Sequence, residues 1–97
     1  MIGQRVVVGA EGDGECLPMI ARRLRDAGHE VVLAGGHQTP AQLARTAVAE
    51  DAARVVVDAD DDTVARVVAA CAALDASDIV VDRGCDAVDA TSPRVKG

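Results

Sequence analysis

A chain of 97 residues has room for one domain with a core of limited size, and its 49% hydrophobic content is mostly Ala and Val with no Phe, Tyr or Trp. The core must therefore be assembled from small, β-branched and aliphatic side chains. Sixteen acids against ten bases give a formal net charge of −6, which argues against nucleic acid and against an anionic membrane surface, since both are bound by Lys and Arg.

From the N-terminus, Met1 to Arg5 lacks the basic and apolar regions of a signal peptide, and no apolar run approaches the roughly 18 residues of a membrane span. A cytoplasmic protein with a single domain over residues 1–97 is expected. Arg5 to Val8 is a short apolar block whose three successive valines lack polar alternation, the mark of a strand covered on both faces in a parallel sheet. It runs into Glu11, Gly12, Asp13, Gly14, Glu15 and Cys16, a loop with three acids and no base. Pro18 then opens a first helix whose buried stripe is Ile20, Leu24 and Ala27, with Gly28 as its stop.

Glu30 to Ala34 reads as a second strand, closed by Gly35 and Gly36. Thr39-Pro40 is a strong helix start, and Leu43, Ala44, Ala47 and Val48 form the expected stripe of helix two. Arg54 to Val57 is a third strand ending in Asp58-Ala59-Asp60-Asp61-Asp62, acids suited to the positive end of a third helix from Thr63 to about Ala76. That helix is expected to bury Val64, Val67, Val68, Cys71 and Leu74. Ile79 to Val81 is a fourth strand.

Only five residues, Asp82 to Asp86, separate strand four from the next apolar pair, Ala87-Val88. A parallel neighbour needs a crossover of about a dozen residues. The expectation is therefore a flavodoxin-like α/β domain, a parallel sheet of four strands with three helices, plus a short irregular or antiparallel C-terminal segment. Cys16, Cys71 and Cys85 match no zinc or redox spacing and are expected as reduced thiols, with Cys71 in the core.

Ala21 to Val31, His37-Gln38-Thr39-Pro40 and Leu43 to Val48 together resemble the cobalamin-binding domain of the methylmalonyl-CoA mutase family. The resemblance runs from Val6 to about Val81 and implies cobalamin held at the C-terminal ends of the strands. It also implies a mutase-type partner, because the family houses its radical rearrangement in a separate barrel domain. Its ligand places fall on Glu11, Gly12, Asp13, Cys16, Asp58, Asp60, Asp82 and Gly84. At each motif this chain departs from the family pattern. The first loop should read Asp-x-His-x-x-Gly, with the histidine imidazole below cobalt, and those places hold Glu11, Asp13 and Cys16. A Ser-x-Leu stretch is replaced by Asp58-Ala59-Asp60, and a Gly-Gly pair by Asp82-Arg83-Gly84. His29 and His37 are expected as turn residues.

Three functions are open on this basis. One is a non-catalytic homologue of the cobalamin domain acting through protein contacts, with no cofactor assigned. Another is an accessory subunit of an acyl-CoA mutase-type system, holding cobalamin without a histidine ligand. A third is a receiver-like cation or phosphoacceptor module, with Glu11, Asp13 and Asp58 as candidate metal ligands. Like-charge crowding of Glu11, Asp13, Asp58 and Asp82 is also expected. No Ser-His-Asp arrangement, P-loop or zinc spacing supports an enzyme acting alone. Apolar surface beside Ile79 and Val81, with an open fourth strand, suggests a homodimer assembled through Asp86 to Pro93.

Overall fold

The valine runs at 6–8 and 55–57 are wholly buried, and they lie side by side at the centre of the sheet. The computed structural model describes residues 3–84. Its elements are β1 (Arg5–Ala10), α1 (Leu17–Asp26), β2 (Glu30–Gly35), α2 (Pro40–Ala49), β3 (Arg54–Asp58), α3 (Asp61–Ala73) and β4 (Val80–Arg83). All pairings are parallel, in the order β2-β1-β3-β4, with Val7 registered against Val32 and Val55 and Val56 against Asp82. This is the flavodoxin-like arrangement of four strands and three helices that the sequence implies. The expectations for Cys85 and for the segment from Asp86 onward lie outside the described residues.

Alternation along the strands divides the core in two. Val7, Val55 and Val57 meet Leu43, Ala44 and Ala47 of α2 and Val67 and Cys71 of α3 on one face. On the other, Val6, Val8, Ala10 and Val56 meet Leu17, Ile20 and Leu24 of α1. Fit is close in the first layer. A Cβ built on Gly9 would stand 2.4 Å from Cδ2 of Leu43, which is itself wholly buried.

Two helix starts and all three helix ends have specific devices. Thr39 and Gln42 make a reciprocal capping box at the start of α2, the Gln42 N–H donating to Thr39 Oγ1 at 3.1 Å and the Thr39 N–H to Gln42 Oε1 at 2.8 Å. Asp60 caps α3, with Asp61 and Asp62 in the first turn, so the acid run serves that helix end as expected. α1 ends at Gly28 (φ +96°), whose N–H donates to Arg25 O while the His29 N–H donates to Leu24 O. The same paired bonds close α2 at Asp51 and α3 at Asp75, both left-handed at φ 54° and 59°.

Several expectations from periodicity are corrected. Ala27 is the exposed C-cap of α1 rather than part of its buried stripe. Val48, Val68 and Leu74 are 44%, 50% and 42% exposed. The sheet beneath α2 and α3 presents a narrow apolar strip, and the helices carry a broader one. Ile79 and Val81 are partly buried against the α2/α3 layer. The exposed apolar residue of β4 is Val80, and its face of the sheet carries the ion pair between Arg54 and Asp82, each side chain 32% accessible. The anticipated oily patch on this side is thus largely replaced by a half-buried charge pair.

The left-handed aspartates set up a stability test. A non-glycine residue there costs energy that glycine avoids, a net gain of about 0.5–1 kcal/mol after the entropy of the unfolded glycine is counted. Asp75→Gly should raise the thermal midpoint by a few degrees, because ~1 kcal/mol moves a domain of this size by roughly 4–8 °C. Gly28→Ala should lower it. One thermal denaturation series checks both.

Candidate functional site

In an open parallel sheet the crevice for a ligand forms past the C-terminal strand ends, where successive connections leave in opposite directions. Here that point lies between β1 and β3, since the chain leaves β1 over one face through α1 and reaches β3 over the other through α2. Ala10 and Asp58 are register partners, so the loops after β1 and β3 begin side by side.

Glu11 crosses this crevice. Its N–H donates to Asp58 O at 3.3 Å, and its Oε2 accepts from Thr63 Oγ1 at 3.1 Å. Thr63 is 4% exposed, the polar side chain that stands out as buried among the described residues. Sequence reasoning took Thr63 only as the first residue of the third helix, which in fact begins at Asp61 and ends at Ala73, and so gave its hydroxyl no role. Its spacing from the Asp60 cap was the available clue. The Thr63 N–H donates to Asp60 Oδ1 at 2.8 Å. That bond, and after it the Thr63 side chain, holds the Asp60 carboxyl below its ordinary value of 3.8.

On the other side of β1 the loop is locked to the β2–α2 turn. The His37 N–H donates to Gly12 O at 2.7 Å and the Gln38 N–H to Ala10 O at 2.9 Å. A Cβ on Gly36 would stand 2.6 Å from Asp13 O and 2.7 Å from Gly12 O, so only glycine permits this approach. Asp13 folds back on its own loop, with Oδ1 accepting from the Glu15 N–H at 3.2 Å. Cys16 is the exposed N-cap residue of α1 and makes no side-chain capping bond.

The acids therefore do not form the single crowded cluster expected. Of the four acids in that expectation, Glu11 is engaged with Thr63, Asp13 with Glu15 and Asp82 with Arg54, while Asp58 ends β3 opposite Ala10; Asp60, beside them, is held by the α3 cap. Among the described residues no group of three or more His, Cys, Asp or Glu side chains is placed to hold a metal ion. At the end of β4, a Cβ on Gly84 would stand 3.0 Å from Ile20 Cδ1 and 3.3 Å from Asp58 Cα, so the space above β3 on the α1 side is already filled. Arg83 reaches the first turn of α3, donating to Asp61 Oδ1 at 3.0 Å.

Both histidines are turn residues. His29 lies at the opposite edge of the sheet, its Nδ1 accepting from the Gln4 N–H at 3.0 Å. His37 is exposed beside the candidate site with left-handed backbone. Cys71 is core as expected, and burial pushes its thiol above 9.0. No helix among the described residues is long and apolar enough to cross a membrane.

Two measurements test this account of the edge. Because the Asp60 carboxyl is depressed in the folded state, the stability it contributes is fully present above pH 3.8 and lost as pH falls through the folded value. Asp60→Asn should accordingly melt below wild type near neutral pH, with the gap narrowing at low pH. A double-mutant cycle of Glu11→Ala and Thr63→Val should give a coupling of about 1 kcal/mol, the size of one hydrogen bond. Zero coupling would mean that the Glu11 contact carries no energy.

No family model matches the chain. Over 44 residues it is 43% identical to the 2-hydroxyisobutanoyl-CoA mutase small subunit of Aquincola tertiaricarbonis, a stretch making up 45% of this chain and 32% of that subunit. The similarity thus spans about a third of the relative's length. Over that stretch the chain is similar to a mutase small subunit, and its own sheet is parallel in the order 2-1-3-4.

Proposed function

We propose that this chain is a cobalamin-domain-type module of an acyl-CoA mutase-like system that does not hold cobalamin through a histidine and acts, without catalysis of its own, by contact with a larger mutase-type subunit. The observation that carries the reading is the self-closure of the β1/β3 crevice by Glu11, bonded to Asp58 O and to the buried Thr63 hydroxyl. The partial identity to a mutase small subunit supplies the partner class.

The residues around the crevice do not fit the family's mode of holding the cofactor. Asp13 stands where the resemblance calls for an imidazole, and a carboxylate is a hard oxygen donor in place of a nitrogen one. Asp58, Asp60 and Asp82 would have to be brought against a nucleotide base, and burying a charge without a partner is costly. Asp82 is committed to Arg54 instead. Gly84, Ile20 and Asp58 close the remaining space.

One observation favours a second reading, in which the corrin is held without a histidine ligand. Gly12 and Gly35 both lie at this edge, and a Cβ on either would meet nothing within 4 Å. A large planar group could rest there on bare backbone. Titrating the purified chain with hydroxocobalamin separates the two readings. The first expects no saturable change in the visible spectrum and no thermal shift. Stoichiometric uptake with an altered spectrum would overturn it in favour of the second.

A further inference from the structure

We draw no further inference here: the strongest candidate, the apolar seam between α2 and α3 with Val48, Val68 and Leu74 exposed along it, carries nothing because nothing in the structure shows what covers it.

Discussion

Everything in this domain depends on the parallel pairing of β1 with β3, two runs of valines that expose nothing on either face. Without an aromatic residue to span the space between sheet and helix, the layers must approach closely. The chain meets that demand with alanine at contact points on α2 and with glycine where strand and helix side chain would collide. Two thin half-cores result, one under α2 and α3 and one under α1, and each relies on the central strands being wholly buried. The fit of small pieces replaces the bulk that larger domains use.

That constraint explains how the strand-end edge is built. Short connections hold the loops after β1, β2 and β3 close together, and backbone bonds from Glu11, His37 and Gln38 tie them into one continuous rim. Side chains that would repel one another in isolation are separated by being given different partners: a threonine, a turn N–H, a helix cap, an arginine. The acidity of the region is thereby distributed among local hydrogen bonds.

Much of the scaffold was legible from residues alone, because its signals are local. Buried valine runs, the Thr39-Pro40 start, the Gly28 stop and the acid run at α3 each act within a few residues of their own position. Helix periodicity was less informative about burial. It locates an apolar stripe but not how wide a surface the neighbouring strands offer, and Val48, Val68 and Leu74 fall outside that width. The acids at the strand ends were identified but not their partners. Thr63 lies 52 residues from Glu11 and Arg54 lies 28 from Asp82, separations at which no pattern in the chain announces a contact.

The closeness of Gly9 to Leu43 has a consequence for how such a sequence can drift. The methyl group an alanine would add at position 9 meets the terminal carbon of a wholly buried leucine, and that side chain must shift to admit it. Neither residue can be exchanged alone for a larger one. A side chain at position 9 therefore requires the one at position 43 to be re-seated or made smaller. Packing couples the two sites, although one belongs to a strand and the other to a helix more than thirty residues later in the chain.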